Sequence, residues 1–371
     1  MSTSTMRRAA IAAALALAAG GLAACGDDDD SGGGGSTSAS SGEAKQIALL
    51  LPETKTTRYE AKDRPAFEAK TKELCADCEI IYSNADQDAS KQQQQAEAAI
   101  TKGADVLVLD PVDSASASAI VNRAKQSDIP VISYDRLVTD APVDYYISFD
   151  NEEVGKLQAT SLLDALGGGD GKSIVMINGA PTDNNAKLFK AGAHSVLDGS
   201  GVKVAKEYDT PDWSPDKAQT QMDQAITSIG KGNINGVYAA NDGTAGGAIA
   251  AMKGAGMDPT KVPTTGQDAE LAAIQRILAG EQFMTVYKAI TPEAEAAAQL
   301  AVALAKGEDP PEGLVNGETD NGQGQIPSVL LKPVAVTKDN VNDTVVKDEF
   351  VEVAELCKGE YAADCKAAGI Q

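Results

Sequence analysis

Short runs of β-branched and apolar residues alternate with Ala-rich stretches along most of this 371-residue chain. The runs that read as strands are Ile47–Leu51, Ile80–Ser83, Val106–Leu109, Val131–Tyr134, Tyr146–Phe149, Ser173–Ile177, Val202–Glu207, Gly236–Ala239, Val262–Thr265, Met284–Tyr287 and Val329–Val336. Between most of them lie stretches rich in Ala, Gln, Glu and Lys, such as Lys91 to Lys102, which stops at Gly103. This alternation predicts βαβ units, and with them parallel sheets covered by helices on both faces. The runs are too many for one small doubly wound sheet, and the body beyond Lys45 exceeds what one core usually supports, so two lobes are expected. A TIM barrel is the rival arrangement of repeated βα units, but its eight units fit the count less well.

The carboxyl ends of these runs carry polar residues. Lys55, Thr57 and Arg58 follow the first; Asp135 and Arg136 follow VISY; Asp150 and Asn151 follow YYISF; Asp183, Asn184 and Asn185 follow SIVMINGAP. Asn241 and Asp242 follow GVYAA, Gln267 and Asp268 follow PTTG, and Lys288 stands at the end of TVYKA. In open α/β sheets ligands bind outside the carboxyl ends of the strands, so these ends read as one polar cleft. Any single Asp or Asn there is more often a helix N-cap than a ligand contact, above all Asp150, Asn151 and Asp242; the repetition is what points to a site. Carboxylates and amides in pairs, with Arg and Lys as donors, match the paired donors and acceptors of vicinal hydroxyls. The mixture of charge signs suits a neutral polyol better than an anion. The one tryptophan, Trp213, lies in a loop from Asp209 to Pro215. It is either a hydrophobic plug or a platform for the apolar face of a sugar, and its polar neighbours favour the platform.

Residues 1–24 read as a secretory signal. Arg7 and Arg8 precede an apolar run from Ala9 to Ala19, too short to span a bilayer, and small residues follow. Leu22-Ala23-Ala24-Cys25 has the form of a lipobox, so Cys25 is expected to carry lipid and become the new amino terminus. Residues 26–44, which open GDDDDSGGGGSTSASSG, hold no large apolar side chain and read as a flexible acidic tether. The chain is therefore expected outside the cytoplasm, anchored to the outer face of the cell membrane or, with an ordinary cleaved signal, periplasmic. Its formal net charge of −22 argues against nucleic-acid binding, which needs a basic footprint. Cys75, Cys78, Cys357 and Cys365 remain beyond Cys25, and in an exported chain an even number favours disulfides. Local pairs, Cys75–Cys78 and Cys357–Cys365, are expected over cross-pairing. Cys75-Ala-Asp-Cys78 ends a helix and precedes a strand, the reverse of a thioredoxin-like redox pair.

Other motifs fall short. Gly167-Gly168-Gly169-Asp170-Gly171-Lys172-Ser173 has Leu166 where a phosphate loop needs Gly, and it precedes a strand instead of following one. A single histidine, His194, rules out His-cluster metal sites and makes His-based catalysis improbable. Asp86 and Asp88 near Ser90 lack the ligand count of a calcium loop, so Asp88 or Ser90 is expected to cap a helix. A glycosidase would need one protonated carboxyl among Asp135, Asp183 and Asp268; Arg58, Arg136 and Lys288 are expected to keep them ionised, so no enzyme is expected.

These residues, taken together, resemble the type I periplasmic sugar-binding proteins of ABC transporters. The densest stretches are Tyr134-Asp135-Arg136, Tyr146 to Asn151 with Val154-Gly155, Asp183 to Phe189, Asn241 to Ile249, Gly266 to Ala269 and Met284 to Lys288. The resemblance runs from about Lys45 to Phe350 and is strongest to the xylose-binding members. It implies an α/β fold of two doubly wound parallel-sheet lobes joined by a three-strand hinge that closes on a monosaccharide. The implied lobes are residues 45–150 with 290–331, and 151–289 with 332–350; residues 351–371 form a tail. The implied sugar contacts are Arg58, Asp135, Arg136, Asp183, Asn185, Trp213, Asn241, Asp268 and Lys288. D-xylose leads as ligand, with glucose, galactose or arabinose as alternatives because the first loop, Pro52 to Tyr59, departs from the xylose pattern. Delivery to an ABC permease with a separate ATPase is implied, with a chemoreceptor-coupled sugar sensor as the other use, and the protein is expected to act as a monomer without a cofactor. A transcriptional repressor core shares the fold but needs an amino-terminal helix-turn-helix where this chain has a signal.

Overall fold

The computed structural model describes residues 44–370, and the expectations for the signal, Cys25 and most of the tether lie outside them. The described residues begin with strands β1 (Gln46–Leu51), β2 (Glu79–Asn84), β3 (Val106–Leu109), β4 (Val131–Tyr134) and β5 (Tyr145–Phe149). They continue with β6 (Ser173–Asn178), β7 (Lys203–Asp209), β8 (Gly236–Ala239) and β9 (Met284–Tyr287), and end with β10 (Gly317–Asp320), β11 (Gln325–Leu331) and β12 (Val334–Thr337). The first sheet runs in the order β10-β11-β5-β4-β3-β1-β2, with all pairs parallel except the β10–β11 hairpin. The second has β7-β6-β8 as its parallel core. Single bridges, Val237 to Thr264 and Gln267 to Val286, carry it on to β9, which pairs antiparallel with β12.

The central strands are apolar along their whole length because helices cover both faces. In β1, Ile47 to Leu51 are all buried, odd positions packing with Phe67 and helix Ile290–Lys306, even ones with helices Ala89–Thr101 and Ser118–Lys125. The outer strand β7 exposes Lys203, Glu207 and Asp209, charged side chains of the kind that protect a sheet edge. Helix Asn151–Leu166 starts where Asp150 accepts from the Glu153 amide and stops at Gly167, whose φ of 70° places it in the left-handed region. Asp88 likewise caps helix Ala89–Thr101 by accepting from the Lys91 amide.

Three strand expectations are corrected. Val329–Val336 is not one strand: Pro333 has no amide hydrogen to donate, and the run breaks into β11, paired with β5, and β12, paired with β9 in the other sheet. Val262–Thr265 contributes only the bridge at Thr264, since Pro263 interrupts the ladder. The polar strand β10, GETD, carries no apolar signal and is held by its hairpin with β11, so the sheets are mixed rather than wholly parallel. The backbone passes from one sheet to the other after β5, after β9 and between β11 and β12.

Cys75 is bonded to Cys78 and Cys357 to Cys365, with Cα atoms 5.3 and 5.6 Å apart. The second bond ties short helices Val353–Leu356 and Ala362–Ala367, whose Leu356 and Cys365, with Ile370, pack onto Ile274, Ile277 and Leu278 of helix Leu271–Ala279. His194 lies on the surface of helix Asn184–Leu197, paired with Asp198 and Glu207. No helix among the described residues is long and apolar enough to cross a membrane.

Candidate functional site

The carboxyl ends of the two sheets face each other across one cavity. Arg58 reaches it from the loop after β1, and Asp135 and Arg136 from the end of β4. Asp183 and Asn185 stand at the start of the helix after β6, Trp213 after β7, Asn241 after β8, Asp268 before helix Leu271–Ala279 and Lys288 after β9. All nine border about 270 Å³ of empty space, together with Thr56, Tyr59, Phe189 and Gln267. Three of them hold φ values that L side chains rarely adopt, Asp135 (54°), Trp213 (51°) and Asp268 (92°). Such strain gathers where a fold must aim a side chain at a ligand.

The charges interleave. Arg58 donates to Asp63, Asp135 and Glu293 and lies 3.9 Å from Asp268. Lys288 Nζ sits 3.5 Å from Asp135 and 3.3 Å from Asp268. Arg136 Nε lies 3.0 Å from Asp183 and 3.6 Å from Asp110, and its Nη2 lies 3.8 Å from Glu53. Tyr59 donates its hydroxyl to Asp135 Oδ2 at 3.0 Å. Asn185 donates through Nδ2 to the Asp135 carbonyl at 2.9 Å and accepts from Asn151 Nδ2 at 3.0 Å, so it stitches the two sheets' loops together.

Burial and these partners set the protonation. Burial disfavours charge on Asp135, but Arg58, Lys288, Arg136 and the Tyr59 hydroxyl outweigh it and hold the carboxyl well below its ordinary range. At Asp183 burial pushes the carboxyl up from its ordinary value, against the pull of Arg136. Arg136 is shared among Asp183, Asp110 and Glu53, so no one of them receives a full counter-charge; burial pushes Asp110 and Glu53 up as well. Lys288 loses by burial but gains more from Asp135 and Asp268, and it stays a cation.

Trp213 is both wedged and aimed. Its Nε1 donates to Asp183 Oδ2 at 3.0 Å, and its ring meets Phe189 edge to face at 6.3 Å. The ring also meets Gly179, where a Cβ would come within 2.0 Å of it. Trp213 is thus packed against Phe189 and Gly179, as the plug reading expects, and it also borders the cavity. Asn241 also has two roles: it caps helix Asp242–Gly254 in a capping box with Thr244 and borders the cavity. Asp150 is a cap alone, and Asp242 is buried behind the cavity, bonded by Gln282, Thr285 and the Glu270 amide.

Among the buried cavity-wall atoms without a hydrogen-bond partner are two acceptors, Gln267 Oε1 and Asp268 Oδ1, the second with only its ion pairs to Lys288 and Arg58. Such acceptors are costly unless a donor reaches them, which hydroxyls on a ligand do. Thr56, Tyr59 and Phe189 were not singled out from sequence, although Tyr59 adjoins Arg58 and Phe189 closes a stretch that carried the resemblance. Asp110 and Glu53, the carboxylates behind Arg136, were missed too. Asp110 directly follows β3 and Glu53 lies just past β1, so the strand-end rule that found the others applied to them.

Residues 47–309 match the periplasmic binding protein domain family. The chain belongs to that family. It is 41% identical over 315 residues to the D-xylose-binding periplasmic protein of Escherichia coli (strain K12), covering 84% of this chain and 92% of that protein. It is 37% identical over 289 residues to a multiple sugar-binding periplasmic receptor of Rhizobium radiobacter, covering 73% and 81%. Among solved structures, an ABC transporter solute-binding protein from Clostridium phytofermentans with bound β-D-glucose superposes with a TM-score of 0.76 at 28% identity, over 84% of this chain and all of that one. The fold is thus the type I periplasmic-binding-protein fold, and these relatives are sugar-binding proteins, not enzymes. Family members of this kind work outside the cytoplasm, which places this chain there as well.

Proposed function

We propose that the protein captures a monosaccharide, D-xylose first, in the cavity between its two sheets and hands it to an ABC permease driven by a separate ATPase chain. The observation that carries this reading is the cavity wall. Arg58, Arg136 and Lys288 alternate with Asp135, Asp183 and Asp268, amides stand between them, and Trp213 supplies an apolar face. Paired donors and acceptors of this kind bind vicinal hydroxyls, and they reject analogues that lack one because a buried polar group is then left unpaired. The identity to the xylose-binding relative favours a pentose. The glucose-bound neighbour and the multiple sugar-binding receptor support a second reading, in which hexoses are also accepted.

Residues 45–150 with 290–331 and 151–289 with 332–350 act as the two lobes, and hinge motion at the three crossings opens the cavity. The protein works as a monomer tethered through lipid on Cys25, with residues 26–44 as spacer and the disulfide-bonded tail riding on the second lobe.

A calorimetric and thermal-shift screen of pentoses and hexoses tests the proposal. A sugar at one hundred times its Kd stabilises the folded state by about 2.7 kcal/mol. If no monosaccharide raises the melting temperature while another class of solute does, the sugar assignment is wrong. Mass spectrometry of the membrane-extracted protein tests the anchor: an unlipidated Cys25 would refute it.

A further inference from the structure

Arg58 makes three hydrogen bonds to carboxylates that stand behind the cavity. A guanidinium carries five N–H groups in a rigid plane and accepts nothing. Nε and Nη2 donate to the two oxygens of Asp63 at 3.0 and 2.6 Å, in a fork, and Nη2 donates again to Glu293 Oε2 at 2.7 Å. Nη1 donates to Asp135 Oδ1 at 3.1 Å. One N–H is left, and it lies on Nη1, the nitrogen that faces the cavity residues Asp135 and Asp268.

Neither Asp63 nor Glu293 borders the cavity, and both are almost fully buried (1% and 0% exposed). They arrive from separate elements. Asp63 ends the helical turn Tyr59–Asp63 and is itself held by the hydroxyl of Tyr134 on β4. Glu293 lies in the first turn of helix Ile290–Lys306, just past the crossing that carries Lys288. Asp63, Glu293, Tyr134 and Asp135 all stand with the first sheet, as Arg58 does, whereas Asp268 and Lys288 come from the side of the second.

We propose that Asp63 and Glu293 are positioning residues for ligand binding, which hold the Arg58 guanidinium in one plane so that its remaining Nη1 N–H is already aimed when the sugar arrives. This rests on the sugar-binding reading of the cavity. Ordering a long side chain at the moment of binding subtracts from affinity, and fixing it beforehand removes that loss. The holders travel with Arg58 rather than with the opposite wall, so the guanidinium stays aimed when the cavity opens.

The test is a double-mutant cycle on the full chain, read as D-xylose affinity by calorimetry, or by Trp213 fluorescence at millimolar sugar for weak binders. Glu293→Ala is expected to weaken binding about tenfold, the scale of one hydrogen bond to a charged group. Glu293→Gln keeps an acceptor toward Nη2 and is expected to restore affinity to within about threefold of wild type. In an Arg58→Met background Glu293→Ala is expected to cost nothing further, because no guanidinium remains to be held. An equal loss in both backgrounds, or a lowered melting temperature with unchanged affinity, overturns the positioning role. Should Glu293→Ala not fold, Asp63→Asn is read in the same cycle, with the same expected dependence on Arg58. If the wild type binds no pentose or hexose, the sugar reading falls and this proposal with it; if the wild type binds and Glu293→Ala binds equally well, only the positioning role falls.

Discussion

Gly179→Ala is the sharpest probe of the cavity, because it adds one carbon and leaves every polar group in place. Gly179 follows β6 directly and is buried. Its φ is not in the left-handed region, so alanine meets no backbone strain there. The obstacle is steric. The new Cβ would come 2.0, 2.3 and 2.5 Å from three carbons of the Trp213 ring, against roughly 3.5 Å for ordinary contact. The ring must withdraw by more than an ångström, and it cannot do so while Nε1 stays 3.0 Å from Asp183 Oδ2. Losing a hydrogen bond to a charged group costs about 1.5–3 kcal/mol, which is a tenfold to hundredfold loss of affinity if Trp213 borders the bound sugar. Overpacking costs stability too, about 1–3 kcal/mol. The assay is favoured by composition: Trp213 is the one tryptophan, so intrinsic emission reports on this ring alone. Emission from the variant is expected to shift to the red as the ring leaves its buried place, with D-xylose affinity down in parallel. A variant with wild-type emission and wild-type affinity would refute both the rigidity of this contact and the role given to Trp213.

Trp213→Ala and Asp268→Ala should each abolish the thermal shift by sugar while leaving a cooperative melting transition; a persistent shift in either would remove that residue from the site. Glu293 is pushed up to about 8 by burial, against the pull of Arg58. The folded state therefore holds a proton that the unfolded chain releases near its ordinary value of 4.5, and this contribution to stability, full at low pH, is lost as pH rises from about 5 to 8. Glu293→Gln should flatten that part of the melting-temperature profile, and an unchanged slope would contradict it. Asp135 has the opposite sign: its depressed value contributes stability above the ordinary carboxylate range that is lost on acidification, so Asp135→Asn should lessen the fall in stability below about pH 4. Replacing Cys357 and Cys365 by Ser opens a loop of sequence separation 8 and should cost about 2.5 kcal/mol by calorimetry, with xylose affinity within twofold, since neither borders the cavity.

The strand-end residues show how far a site is readable before folding. Arg58, Asp135, Arg136, Asp183, Asn185, Asn241, Asp268 and Lys288 were visible because a strand's direction puts its carboxyl end on one known side of the sheet. The same rule named Asp150, Asn184 and Asp242, which the structure leaves outside the cavity wall. Position along a strand fixes the end on which a residue stands, not whether its side chain turns inward. Asp63 and Glu293 carried no such signal at all: they stand in helical segments, 5 and 235 positions from the arginine they hold.

Local chemistry decided the elements. Apolar runs buried on both faces had to become central strands, Gly167 had to end its helix, and the prolines at 263 and 333 had to interrupt their strands, since each effect acts within a few residues along the backbone. The charge balance of the cleft was not local. How far Asp183 is pushed up depends on Arg136 being shared with Asp110 and Glu53, which approach from other strands, and on water being excluded from all of them. Electrostatic energies vary with distance and burial, and those quantities exist only once the two sheets have brought their ends together.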